Sequence, residues 1–494
     1  MSESGFVSQA LYEQVLAENV GLRAAVADLT EQLAVALARI EELQARLGMS
    51  SKNSSKPPSS DGLAKPAPRS LRGRSGRGPG RPKGQAGFTL ELVEVPDRRI
   101  AHEPDQCAGC AAGLAGAPVV GVERRQVFDL PVVRLEVTEH QMVTRRCDCG
   151  TVTKGRAPAG VNAPVAYGPR IAGAGVYLFH GQFLSKARTA AALGDLFGAD
   201  VAAGTVASWT AKTASAISEE VIPVIADRIA GAEVAHFDET GLRTAGRLHW
   251  MHTASTAQDV LLTVHEKRGV KGMDAAGVLP RFQGVAVHDA WAPYDTYTDL
   301  THALCNAHAL RELTYVVDTA PEKVAGLAEQ AIDALLAVKE LTEPRQATTV
   351  STQTTSTTPD APTAPGTPLD AAELAAAEHL LRSALVVGKN ATAKRATKLE
   401  RKYNNLFTRM TNRWEDYLRF AHDPAVPFDN NPGEQTIRMP KLRVKVSGSL
   451  RSIAGAQDFA AIRSYIATAT RAGQNMLDVL VQAATGSPWI PGTT

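Results

Sequence analysis

The chain has 494 residues and a mass of 52.4 kDa, more than one ordinary domain and enough to bury a sizeable core. No run reaches the roughly 18 apolar residues of a membrane helix, and the opening MSESGFVSQALYEQ lacks a basic-then-apolar export segment, so a cytoplasmic protein without a membrane partner is expected. The net charge of +2 hides a sorting of charge along the chain, and five cysteines are too few for a disulfide scaffold.

Residues 1–50 carry seven acids against Arg23, Arg39 and Arg46, a net −4. Within residues 8–48, Tyr12, Asn19, Val26, Leu33, Ile40 and Leu47 recur every seven positions, and Val15, Leu22, Leu29, Ala36 and Leu43 form a second series offset by three. These are the a and d positions of a coiled coil, so the segment is expected to be a dimerisation helix, with Asn19 favouring a parallel, in-register pair. Gly48 and the polar tract beyond it are expected to free this helix from the body of the protein.

Residues 49–88 form a Ser-, Pro-, Gly- and Arg-rich linker, expected to be disordered because it has almost nothing apolar to bury. From Ser51 to Gly87 nine Lys/Arg face Asp61 alone, a net +8, and Gly80-Arg81-Pro82-Lys83 is AT-hook-like. Arg72, Arg74, Arg77, Arg81 and Lys83 are the candidate DNA phosphate and minor-groove contacts.

Residues 89–165 hold two cysteine clips, Cys107-Ala-Gly-Cys110 and Cys147-Asp-Cys149, around the alternating stretch QVFDLPVVRLEVTEHQMVTRR. That layout predicts two short strands and a small zinc-ribbon-like β domain, with the four thiolates, or three of them with His102 or His140, closing a structural Zn²⁺ site. Residues 166–228 turn to helical periodicity. Two helices meeting at Gly198 read as a helix-turn-helix whose second helix, from near Ala203, would present Thr205, Ser208, Lys212 and Thr213 to DNA bases.

From Ala232 the order is strand, strand, strand, helix near 270–279, strand, which is how a ribonuclease H-like α/β domain begins. Asp238 is expected to end the first strand and Asp289 the fourth. If those strands are parallel neighbours, both carboxylates emerge at one carboxyl edge. A third acid comes from FDNNPGEQTIRMPKLRVK: Glu434, at the start of an arginine-rich helix, is favoured over Asp429 or Glu239. Three such acids suit a two-metal Mg²⁺ or Mn²⁺ site for in-line phosphoryl transfer. The catalytic domain is expected to comprise residues 229–318 and 424–480. Between them, residues 319–423 read as an α-helical insertion around a disordered Thr/Pro-rich loop, 344–369, and residues 481–494 as a tail. The segment 436–471 is again basic, net +6, with Arg438, Lys441, Arg443 and Lys445 as candidate DNA contacts.

HFDETGLR, RLHWMHTAST, GVAVHDAWAPYD, ALCNAHALREL and FDNNPGEQTIRMPKLRVKVSGSLRSIAGAQDFAAIRSYIATATRAGQN together resemble transposases of the insertion sequence 66 family. The resemblance implies a DDE triad on Asp238, Asp289 and Glu434 and a ribonuclease H-like catalytic domain. The activity it implies is cleavage and strand transfer of insertion-element ends. The implied partners are double-stranded DNA, as terminal inverted repeats and target, and accessory proteins of the same element. A homodimer or higher oligomer at the nucleoid is expected. The resemblance also places Cys305 and His308, a C-x-x-H pair, near the active site. There they could steady the metal site, hold the DNA end or pack internally; Arg311, a turn further on, is a candidate phosphate contact. Two rival readings are a ribonuclease H-like nuclease without strand transfer and a catalytically silent zinc-containing DNA-binding regulator.

Overall fold

The computed structural model of the chain describes residues 8–50, 52–54, 90–353 and 370–492. The basic tract with Arg72, Arg74, Arg77, Arg81 and Lys83, and most of the Thr/Pro-rich loop, lie outside the described residues.

Helix α1 (Gln9–Leu47) is one uninterrupted helix, started by Ser8, whose hydroxyl accepts from the Leu11 N–H. The middle of its heptad seam meets no neighbour among the described residues: Val26, Leu29 and Leu33 are 60–62% exposed. Its carboxyl end is not free, which corrects the expectation of a helix released at Gly48. Ala45 is buried in the same core cluster as Leu313 and Phe407, Lys398 Nζ lies 3.3 Å from Glu42 Oε2, and Asn53 Nδ2 donates to Asp318 Oδ2 at 2.7 Å. A small residue at position 45 lets the helix approach closely enough for these polar contacts to close around it.

Strands β1 (Thr144–Arg146) and β2 (Val152–Lys154) form a short antiparallel hairpin with Cys147 and Cys149 in its turn. Of the two strands expected between Gln126 and Arg146, only β1 forms. Alternation alone does not make a strand, because backbone groups need a ladder partner. Among the described residues no strand pairs with 126–142, so Val127, Leu130, Val132 and Val137 remain exposed.

Helices α2 (Pro169–Val176), α3 (Lys186–Phe197), α4 (Ala203–Glu220) and α5 (Ile222–Ala230) follow. Gly198, at φ 66°, supplies the left-handed residue that ends α3. The inner face of α4 is committed to the core: Ala214 and Ile217 share a cluster with Phe237 and Ile462. Thr213, expected outward, is 1% exposed because it falls on that same inner face, whereas Ser208 and Lys212 are exposed and Thr205 is half-buried.

The central sheet has five strands in the order β5-β4-β3-β6-β7: β3 (Val234–Thr244), β4 (Arg247–Ser255), β5 (Val260–His265), β6 (Val285–His288) and β7 (Thr301–Leu304). The first three are antiparallel neighbours. After helix α6 (Val270–Ala275), β6 returns parallel to β3, and β7 parallel to β6. The β3–β4 hairpin overruns the rest of the sheet. Pairing of β3 with β6 stops at His236↔Val287, but pairing with β4 continues to Thr244↔Arg247. A two-residue turn, Ala245 and Gly246, both at positive φ, closes it.

Helix α7 (Asn306–Thr319) leads to the insertion, helices α8 (Glu322–Gln353), α9 (Ala371–Ala391), α10 (Lys398–Asn412) and α11 (Trp414–His422). Its core is aliphatic and aromatic, centred on Leu335, Leu385 and Phe407, and continuous with Leu310 and Leu313 of α7. The chain then returns through α12 (Asn431–Ser447), α13 (Ile453–Arg471) and α14 (Met476–Thr485). Helix α13 flanks the outer strand β5, whose Leu262 N–H donates to the Ser464 hydroxyl at 2.8 Å. The expected tail from 481 instead begins inside α14, where Gly173 of α2 lies so close to Val481 that an added Cβ would stand 2.7 Å from its methyl. No helix among the described residues is long and apolar enough to cross a membrane.

Candidate active site

Asp238 lies mid-strand in β3 rather than at its end, but β6 stops one residue before Asp289, so both carboxylates reach the same edge of the sheet. The pleat of β3 sends alternate side chains to opposite faces. His236 and Asp238 point toward α12: His236 Nδ1 lies 2.8 Å from Asn430 Oδ1, and Asn430 Nδ2 donates to the Phe237 carbonyl at 2.8 Å. Because that amide NH₂ faces a carbonyl, Asn430 Oδ1 is the acceptor and His236 Nδ1 the donor. Asn430 N–H in turn donates to Cys305 Sγ at 3.2 Å, and its carbonyl accepts from Glu434 N–H at 3.0 Å. One buried asparagine therefore fixes the first turn of α12 against β3 and the start of α7. Gly433 keeps room for it, since a Cβ there would stand 2.8 Å from its Oδ1.

The three acids feel one another. Burial first, then the charges of Glu239, Asp289 and Glu434, push the Asp238 carboxyl up to about 8, while the Glu239 N–H that it accepts at 2.8 Å opposes the shift. Asp289 Oδ1 accepts the Trp291 N–H at 3.0 Å. Glu434 Oε1 accepts from Arg311 Nη2 at 3.2 Å and lies 3.8 Å from His308 Nδ1. Burial and then Arg311 lower His308 to about 4, so its ring is neutral and its Nδ1 has no hydrogen-bond partner.

The alternative acids are otherwise engaged. Glu239 points to the opposite face, where Arg268 binds its Oε1 through Nε and Nη2 and Tyr294 donates to Oε2 at 2.8 Å. Asp429 accepts from the backbone and side chain of Asn431.

Cys305, immediately before α7, is buried, and burial pushes its thiol up to about 12. Cys305 Sγ, a His308 ring nitrogen and a Glu434 oxygen lie within 4.8 Å of one another, the one such group of three or more His, Cys, Asp or Glu ligands among the described residues. The four thiols Cys107, Cys110, Cys147 and Cys149 are therefore not drawn into one tetrahedral set, although each clip turns its own pair together, and Asp238, Asp289 and Glu434 are near enough to feel one another's charge without their oxygens closing to that spacing.

Along α12, Arg438, Lys441 and Lys445 are exposed at four, seven and eleven positions after Glu434, a stripe about 16 Å long on the helical face that carries the acid. Arg443 departs from the expected DNA-contact set. It is 7% exposed, donates to the Gly448 carbonyl and covers the Phe459 ring, because its position falls on the face that packs on α13. Arg463 and Arg471, which belong to the same basic block, also bind backbone carbonyls, of His180 and of Thr256 and Asp259.

A family model described as Transposase IS66 family matches residues 164–458. The chain belongs to the IS66 transposase family. A second model, of a family of unknown function, matches residues 9–91, and no curated protein matches the chain. The stretch matched by the IS66 model contains the sheet, the insertion and all of α12. Within this IS66 transposase, sequence reasoning missed Asn430, His236 and Arg268. Asn430 belongs to the DNNPGE motif, but an acceptor-and-donor amide a few residues before the acid has no one-dimensional signature. Arg268 lies in a loop 29 positions from its partner Glu239.

Proposed function

We propose that this IS66-family chain cleaves DNA at insertion-element ends and joins them to target DNA by in-line phosphoryl transfer, with Asp238, Asp289 and Glu434 as the acidic triad. The observation that carries the reading is geometric: the parallel pairing of β3 with β6 sets Asp238 level with Asp289, and Asn430 ties the start of α12 with Glu434 to β3, where burial and then the charges of Glu239, Asp289 and Glu434 raise the Asp238 carboxyl. Mutually repelling carboxylates of this kind fit a divalent cation, which relieves their repulsion. Bound Mg²⁺ or Mn²⁺ would supply Lewis-acid stabilisation of the attacking and leaving oxygens.

The chain's own residues do the rest. Asp238, Asp289 and Glu434 would hold the ion, and its charge would favour the ionised form of the Asp238 carboxyl. Arg311 holds the Glu434 carboxylate by one oxygen, and the other is left for coordination. Neutral His308 and the buried Cys305 thiol hold the start of α7 beside Glu434, which favours support over direct chemistry. Arg438, Lys441 and Lys445 supply phosphate contacts leading away from the triad, and Ser208 and Lys212 on α4 supply a second exposed face for DNA. The exposed seam of α1 supports a parallel homodimer. A structural Zn²⁺ on Cys107, Cys110, Cys147 and Cys149 rests on the two clips alone.

The test uses the full chain, the accessory proteins of its element, Mg²⁺, and DNA bearing the inverted repeats that flank its gene. Nicked and joined products are expected, and Asp238→Asn, Asp289→Asn and Glu434→Gln should each abolish both while DNA binding persists. Full activity in any one variant removes that acid from the triad. Hydrolysed ends without joined strands would select a nuclease instead.

A further inference from the structure

Next to Asp289, on the face of β3 opposite Asp238, the guanidinium of Arg268 is sandwiched between two indoles: its Cζ lies 4.9 Å from the ring centre of Trp250 and 3.9 Å from that of Trp291. The sandwich is anchored from below. Arg268 donates twice to Glu239 Oε1, at 3.0 and 2.7 Å, and the Glu239 side chain is 1% exposed. It is open above, with Arg268 37% exposed and both indoles partly so. Neutralising Glu239 requires the arginine alone, so two aromatic planes at the rim go beyond what that buried carboxylate needs.

Location gives the planes a use. Trp291 follows Asp289 by two residues and donates its N–H to that carboxylate at 3.0 Å. Trp250 pairs with Gly241 on the β3–β4 hairpin where it overruns β6, and the same hairpin exposes Arg243 and Arg247 near its tip. The tip is held in place, since Ala245 N–H donates to the Leu450 carbonyl at 3.0 Å. A rigid ribbon with outward arginines and a planar aromatic–cation–aromatic stack thus stands next to one of the three acids. Such stacks take the face of any base and tolerate all sequences, and guanidinium planes between aromatic rings add cation–π attraction. Bases inside a duplex offer no free face, so the ligand that fits is an unpaired one.

We propose that Trp250, Arg268 and Trp291 form a stacking platform that holds an unpaired nucleobase of the DNA end beside Asp289. The inference rests on the DNA-end function proposed above. It assigns position, not chemistry: the platform fixes where the strand lies relative to the acids.

The probe is a short duplex with a thymidine overhang carrying the fluorescent base 2-aminopurine at the junction, compared with the blunt duplex, in Ca²⁺. The wild-type chain should bind the overhang about tenfold more tightly than the blunt duplex and quench its fluorescence. Trp291→Ala and Trp250→Ala should each erase both the preference and the quenching, and Trp291→Phe should restore most of each. A Trp291→Ala chain that melts like wild type and keeps preference and quenching overturns the platform. So does wild-type binding of both duplexes with equal affinity. Wild-type chain that binds neither duplex overturns the DNA reading itself, which separates the two failures.

Discussion

Asn430 shows how much can hang on one side chain. It satisfies the His236 ring and the Phe237 carbonyl through its side chain and reaches Cys305 Sγ and the Glu434 N–H through its backbone, all in a buried setting. Asn430→Ala strands a buried donor and a buried carbonyl, and should cost about 2–4 kcal/mol in a denaturant melt. Strand cleavage should fall further than that loss explains, since Glu434 loses its anchor. His236 adds a pH dependence. Burial lowers it from its ordinary 6.5 to about 4, so between those values the unfolded chain holds a proton that the folded chain does not. Stability therefore falls as pH drops from about 6.5 to about 4, by about 3 kcal/mol at the lower end. His236→Gln, which keeps a donor and cannot titrate, should flatten that part of the pH–stability curve.

Among the elements, α1 and α12 present opposite cases. Helix α1 was legible because its heptads persist over its whole length, but periodicity could not say that Ala45 and Asn53 dock its end on the helical body. With its seam exposed and its end fixed, Leu29→Glu with Leu33→Glu should convert a dimer to a monomer in light scattering without lowering the melting temperature of the body that carries the sheet. An unchanged dimer would place the association surface elsewhere. The acidic start and basic stripe of α12 were also legible, but the inward turn of Arg443 was not, because a helix reveals its buried face only when the neighbour α13 is known. Of the two strands expected between Gln126 and Arg146, the first failed for a related reason, the lack of a strand partner for 126–142 among the described residues.

At the scale of the whole molecule, the 145 positions between Asp289 and Glu434 are spanned by a helical insertion. Its own core is continuous with α7, and after it the chain comes back to the sheet at Asn430. The helices before the sheet and those after α12 share one apolar cluster, so the expected helix-turn-helix region is part of the core that carries the sheet. Charge on this body is narrower than composition suggests. Arg443, Arg463 and Arg471 are bound to carbonyls, which leaves exposed Arg451 beyond α12 and, on the helical face of Glu434, Arg438, Lys441 and Lys445. Replacing these three by alanine should weaken duplex binding at low salt and reduce the slope of log affinity against log salt by about 0.9 for each phosphate no longer neutralised. An unchanged slope would move the DNA path off α12.

By itself the sequence determined the family, the long leader helix and the order of the first four strands of the sheet, and nominated Asp238, Asp289 and Glu434 as candidate acids, because motif spacing and hydrophobic period are properties of the chain read in one dimension. The tertiary structure alone decided which arginines are free, that Glu239 is held by Arg268 and Tyr294 while Asp238 faces Glu434, and that three tryptophan and arginine side chains stack beside Asp289. The reason is physical. Burial, ion pairing and stacking depend on groups that meet only after distant segments pack, and no local pattern records which partner each side chain will find.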